Sequence, residues 1–212
     1  MDNRIAFRAA AAAAVIALSS VLVMAFGIPI PEAGIDLQPS VSFGPVSQFV
    51  YPTNTYPELA LRLFTADSFF ILGYLMVFAG LYMVTRAQVQ IFAVLGLGAG
   101  MLTALFDALE NAFFITYASL AANGVPLADP ALPLIYIVAN LKWMSAFVTL
   151  LAFGLVWPRD GWRGRGISAI MLLFAFTGVL GVLEPAWVPV RGLFFLVGMP
   201  LFAWDFWQRS RS

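Results

Sequence analysis

The chain contains no cysteine and no histidine among its 212 residues. The absence of cysteine excludes disulfide bonds, iron–sulfur clusters and thiolate zinc sites. The absence of histidine excludes haem, iron, copper or zinc held by imidazole, and it excludes Ser-His-Asp and Cys-His catalytic groups. We therefore expect no cofactor and no bound metal. Any chemistry must use carboxylate, lysine, arginine, tyrosine, hydroxyl or amide side chains.

Charged residues are also scarce, at 10% of the chain against 62% hydrophobic residues. Soluble domains average about 25% charged residues, so this chain cannot cover a globule with a polar surface, and a lipid bilayer is its expected environment. Its apolar runs are long and do not alternate in polarity, which predicts transmembrane helices rather than barrel strands. The net charge of zero argues against a nucleic-acid partner, because phosphate binding needs clustered Lys and Arg.

The apolar runs and their breakers predict an all-α integral membrane protein, a six-transmembrane-helix bundle in one domain (1–212). The first run exceeds the core of about 7–15 residues that is typical of a signal peptide, so we expect an uncleaved helix. The segment after it is long for a loop, and we expect it to cover an outward-facing cavity. The predicted spans are 5–28, 58–84, 89–121, 131–157, 167–183 and 190–207, with the outer-side segment at 29–57.

Arginines set the predicted orientation, because cytoplasmic loops of membrane proteins carry an excess of positive residues. Six alternating spans place eight arginines at ends and loops on one side, so both termini are predicted to be cytoplasmic. The arginine-rich, alanine-rich composition indicates a bacterial chain, and therefore the cell inner membrane. The eight residues are Arg4, Arg8, Arg86, Arg159, Arg163, Arg165, Arg209 and Arg211.

Several polar side chains nevertheless lie inside the predicted spans. Ionisable groups at membrane depth are costly, and they usually face a bundle interior or a water-filled cavity. The alternating spans and a helical rise of about 1.5 Å per residue bring these side chains together in the outer half of the bilayer. The residues predicted to bind a ligand or a proton are Arg62, Asp67, Asp107, Glu110, Asn111 and Lys142.

Lys142 is the only lysine of the chain and the predicted centre of this group. Asp107, Glu110 and Asn111 follow i, i+3, i+4 spacing and therefore share one helix face. Two carboxylates that are one turn apart in a low dielectric need a cation to ionise together. We predict that Lys142 contacts at least one of them, with Arg62 as the next cation.

One set of seven ionisable residues has formal charges that sum to minus one: Arg62, Asp67, Asp107, Glu110, Lys142, Glu184 and Arg191. We therefore expect one bound proton, on Asp107 or Glu110. Glu184 and Arg191 lie near helix ends and are expected to be interfacial. Asp205 has Arg209 one turn later, which predicts a surface pair.

Neighbouring residues extend this predicted site. On the third span, helical spacing places one more polar residue on the face of Asp107, and on the fourth span it places two on the face of Lys142. Nearby aromatic residues are expected to form apolar walls. The polar positions are Thr103, Ser145 and Thr149, and the aromatic ones are Phe113, Phe114 and Trp143.

Three functional classes remain open. The bundle binds or transports a small or amphipathic molecule from the outer side, alone or coupled to protons. Alternatively, it is an accessory or structural subunit of a membrane complex or homo-oligomer. In the third class it is a histidine-independent enzyme for a lipid-soluble substrate, with Asp107 or Glu110 as acid or base and Lys142 stabilising an oxyanion. Inert structural salt bridges are the alternative to all three.

Overall fold

In a computed structural model, the described residues are 3–28, 53–127, 133–184 and 187–211. This part of the chain is helical and without strands, and six of its helices are long and apolar enough to cross a membrane. The protein is therefore a multi-pass helical membrane protein. The helices are α1 (Asn3–Leu22, continued by a π-helical turn at Val23–Gly27), α2 (Pro57–Thr85), α3 (Gln90–Ala122), α4 (Pro133–Val156), α5 (Gly161–Leu183) and α6 (Val188–Arg209).

The helices form a closed ring. Each helix packs against the next one in the chain, and α6 packs against α1. At the contact between α1 and α2, a methyl group on Gly73 would come within 2.9 Å of the Ala17 side chain, and one on Gly80 within 2.8 Å of Ala10. Small residues allow this close approach of helix backbones. The reversed order of the two contacts shows that α1 and α2 are antiparallel.

The two ends of the ring differ. The Phe7 and Phe206 rings stack with centroids 6.2 Å apart, so the start of α1 and the end of α6 lie at the same end of the bundle. We call this the terminal end and the opposite one the far end. The far end contains the start of α2. Just before this helix, the Asn54 side chain donates to the Leu127 carbonyl at 3.2 Å and accepts from the Leu127 N–H at 2.7 Å.

The apolar core is divided by a polar layer. One cluster, towards the terminal end, contains Phe78, Phe153 and Phe206. A second cluster, towards the far end, contains Phe64 and Phe114. Asp67 on α2, Asp107, Glu110 and Asn111 on α3, and Lys142 on α4 fall between these clusters. Apolar side chains therefore lie on both sides of the polar layer.

The start of the fifth helix differs from the sequence prediction. The fifth helix begins at Gly161, before the predicted Ile167, because Gly161 takes a positive φ of 67° that turns the chain directly into the helix. Arg163 in that added turn pairs with Asp205. The predicted outer segment, residues 29–57, lies outside the described residues up to position 52.

Candidate functional site

The centre of the polar layer is an ion-pair group on α3 and α4. The Lys142 Nζ lies 2.9 Å from Asp107 Oδ1 and also contacts Glu110 Oε2. Tyr74 of α2 donates its hydroxyl hydrogen to Asp107 Oδ2 at 2.9 Å. Asp107 and Glu110 are both buried. The contact predicted from helical spacing is therefore present, and one ammonium serves two carboxylates.

Asp67 adds a third carboxylate to this layer. It is 5% exposed, and it lines the same cavity as Asp107, Glu110 and Lys142. Within the described ranges, however, Asp67 forms no ion pair of its own. The nearby Asn111 amide donates to the Ser68 hydroxyl at 3.3 Å.

Arg62 is not brought into the layer. Its side chain is exposed on α2, whereas Asp67 is buried on the same helix. Five residues correspond to a rotation of about 140° in an α-helix of 3.6 residues per turn. The two side chains therefore leave α2 on different faces, and Arg62 does not serve as the second cation that the sequence suggested.

The two threonines among the predicted extensions of the polar stripe form hydrogen bonds within their own helices. The Thr103 hydroxyl donates to the Ala99 carbonyl at 2.9 Å, and Thr149 donates to the Ser145 carbonyl at 2.7 Å. Such i−4 bonds satisfy a hydroxyl locally. Thr103 and Thr149 therefore need no partner from the acid group.

The predicted aromatic walls are correct only in part. Trp143 lines the central cavity. Phe114 instead stacks on Phe64 with ring centroids 4.3 Å apart, and Phe113 stacks with Tyr117. Both Phe113 and Phe114 belong to the apolar packing at the far end and lie outside the cavity lining.

Arg191 is the main correction to the sequence prediction. It was expected to be interfacial, like the exposed Glu184, yet it is 4% exposed, and its Nε has no hydrogen-bond partner in the part of the chain that the structure describes. Its guanidinium carbon lies 4.4 Å from the Trp143 ring centre and 6.0 Å from that of Phe147. This stacking turns Arg191 inwards, one turn after the start of α6.

These charged residues line a cavity of about 380 Å³ inside the ring. All six long helices contribute lining residues. Small-molecule sites have volumes of roughly 300–1,000 Å³, with mostly apolar walls and a few polar groups. The polar lining consists mainly of Asp67, Asp107, Glu110, Lys142 and Arg191, and aromatic lining residues include Phe70, Phe174, Phe195 and Phe202.

The sequence did contain signals for the residues that were missed. Tyr74 follows Asp67 by seven residues, which is two helical turns and therefore the same face. That spacing could have identified Tyr74 as a partner for the acid group. Arg191 is followed at i+4 and i+8 by Phe195 and Met199, so it lies on the same apolar stripe of its helix.

The charges of the cavity are unevenly matched. Three carboxylates, one ammonium and one guanidinium sum to minus one when all are ionised. The ammonium is held by two of the acids, while the third acid and the guanidinium have no ion pair among the described residues.

Comparison with known proteins finds no matching family model, curated protein or solved structure, so the function must be inferred from this arrangement.

Proposed function

We propose that this protein binds a small amphipathic molecule in the central cavity and transports it, together with a proton, across the cell inner membrane of a bacterium. The observation that carries the proposal is the cavity itself. It combines extensive apolar walls with five charged side chains. An amphipathic ligand would find both kinds of surface there.

The direction in which the charges face supports binding over the accessory-subunit alternative. A subunit whose charges pair with a partner helix needs them on the outer surface of the bundle. Asp107 and Glu110 are instead buried and line the cavity. Charged residues that face an internal cavity in membrane proteins mark substrate, ion or proton pathways.

We assign the proton to Asp67 rather than to Asp107 or Glu110. Both of the latter contact Lys142, and an adjacent cation favours an ionised carboxylate. Asp67 is equally buried but has no such contact among the described residues. A proton on Asp67 leaves the lining charges balanced, and its release would create a negative charge beside the ligand.

The orientation follows from the distribution of arginine. The terminal end carries the arginines that were counted from the sequence, so we propose that it faces the cytoplasm. The polar layer lies nearer the far end and would then be in the outer half of the bilayer. A reporter fused after Ser212 should give a cytoplasmic signal; a periplasmic signal would reverse the proposed orientation.

Because the chain has no cysteine, single cysteines can test whether the cavity is accessible. Ala146 is 8% exposed and lines the cavity. We expect Ala146→Cys, in nanodiscs, to react with the neutral reagent N-ethylmaleimide. Decanol, as a small amphipathic probe, should slow this reaction in a saturable manner.

Ala139→Cys is the matched control. Ala139 lies on the same helix but is 0% exposed and packed in the far-end apolar cluster, so its thiol should stay unreactive. Equal reactivity at positions 146 and 139, or decanol that does not protect position 146, would contradict the proposed binding function.

A further inference from the structure

We infer that the ligand of the cavity is an amphipathic anion whose negatively charged group binds the guanidinium of Arg191. This inference rests on the proposed binding function and names the chemical class of the ligand. It does not concern the Lys142 ion pairs. Its starting point is the one buried cation of the polar lining that lacks a partner among the described residues.

Arg191 cannot avoid being a buried charge by losing a proton. A guanidinium carries five N–H donors and is not deprotonated in proteins. Its Nε is buried and without an acceptor in the described ranges, and burial of an unpaired charge is strongly unfavourable. Stacking on Trp143 at 4.4 Å supplies a cation–π attraction but no hydrogen-bond acceptor. An acceptor is therefore required.

The acids of the cavity do not fill that role. Asp107 and Glu110 are both bound to Lys142. Asp67 also has no ion pair among the described residues, but a carboxyl group can become neutral by taking up a proton, whereas arginine cannot lose one. The two unmatched groups are thus not equivalent, and only the guanidinium must keep its charge and find an acceptor that the described residues do not supply.

The surroundings of Arg191 suit a carboxylate or a similar planar anion. A guanidinium offers two parallel N–H donors to such a group. Lys142 lies near the same indole ring, with its Nζ 5.4 Å from the Trp143 centre. Both cations are therefore positioned near an anion that rests beside Trp143.

The walls next to Arg191 suit an apolar tail. Phe195 and Met199 follow it at i+4 and i+8 on α6 and line the cavity, and Phe202 continues the lining towards the terminal end. This spacing makes one stripe along the helix. A ligand with its charged group at Arg191 would lay its tail along this stripe, pointing from the far end to the terminal end.

The test compares three probes that differ in charge and share a ten-carbon chain: decanoate, decanol and decyltrimethylammonium. Protection of Ala146→Cys from N-ethylmaleimide, in nanodiscs of phosphatidylcholine, measures the binding of each probe. For each probe, the half-protecting concentration is compared between the Ala146→Cys parent and its Arg191→Gln derivative. This ratio cancels the different partitioning of the probes into the bilayer.

We expect Arg191→Gln to raise the half-protecting concentration of decanoate by about 10- to 100-fold, as for the loss of a hydrogen bond between charged groups. The half-protecting concentrations of decanol and decyltrimethylammonium should change by less than about threefold, which is smaller than the change expected for decanoate. Unchanged decanol protection also shows that the variant is folded. Arg165→Gln, at an exposed position of α5, should leave all three probes unchanged.

The outcomes separate the inference from the function on which it rests. If decanol protects but Arg191→Gln alters decanoate no more than decanol, the anion inference is wrong and the binding function stands. If no probe protects the parent, the proposed function itself is wrong. A large fall in the half-protecting concentration of decyltrimethylammonium, with that of decanoate unchanged, would mean that Arg191 only repels cations, and it would also overturn the inference.

Discussion

Two groups of buried carboxylates in this bundle are neutralised in different ways. At the terminal end, Asp205 is 1% exposed and pairs with Arg209 at 2.6 Å and Arg163 at 3.1 Å. The side chains of these arginines are 30% and 35% exposed, so they keep part of their hydration. In the polar layer, by contrast, Asp107 and Glu110 share one ammonium whose side chain is only 13% exposed.

The comparison distinguishes a structural ion-pair group from a group that is suited to binding. Around Asp205, both arginines contact the one carboxylate directly, and their excess positive charge is partly exposed to solvent. The sequence predicted the pair of Asp205 with Arg209, but the aspartate is buried rather than at the surface. In the cavity the acids outnumber the ammonium, while Arg191 lacks a partner in the described part of the chain. Buried charges without an ion pair among the described residues therefore line the central cavity, beside its apolar walls.

Removal of the ammonium should have the largest effect on stability. Lys142→Met leaves Asp107 and Glu110 buried without their cation, and breaking a buried pair in this way costs about 3–5 kcal/mol. Thermal unfolding in detergent should show the loss. Adding Glu110→Gln to Lys142→Met should recover part of it, since one uncompensated charge is then removed. Additive effects of the two changes would argue against the contact.

Removal of the acid at the terminal end should have a smaller effect. Asp205→Asn leaves Arg163 and Arg209 without their carboxylate, but both remain partly solvated. We expect a loss of about 1 kcal/mol, near the upper end for solvent-screened ion pairs. The same unfolding measurement applies. A loss as large as that of Lys142→Met would remove the distinction between the two groups.

Helix geometry explains which parts of the site the sequence could predict. The spacing of Asp107, Glu110 and Asn111 fixes their common face, because all three lie on one regular helix. The level of Lys142 follows from counting residues along alternating spans. Neither step requires knowledge of how one helix packs against another, and both predictions agree with the structure.

The errors concern the rotation of helices about their own axes. Counting residues gave Arg62 and Arg191 plausible depths but did not determine the faces that they occupy. On α2 the small-residue contact at Gly73 and Ala17 turns one face towards α1, and Arg62 is left on an exposed face. On α6 stacking on Trp143 draws Arg191 inwards. Such contacts depend on residues that are distant in the sequence.

The smallest effect on stability is predicted for Asp67, and it sharpens the comparison most. If Asp67 already holds a proton, Asp67→Asn replaces one neutral, similarly shaped group by another and should change stability by less than about 0.5 kcal/mol.

Asp107→Asn is the matched control variant in the same polar layer. It removes a charged partner of Lys142 and the charged acceptor of the Tyr74 hydroxyl, so we expect a loss of about 1.5–3 kcal/mol. Thermal unfolding of both variants in the same detergent gives the comparison. Equal losses would mean that Asp67 is ionised, and the proton would then have to be placed elsewhere in the layer.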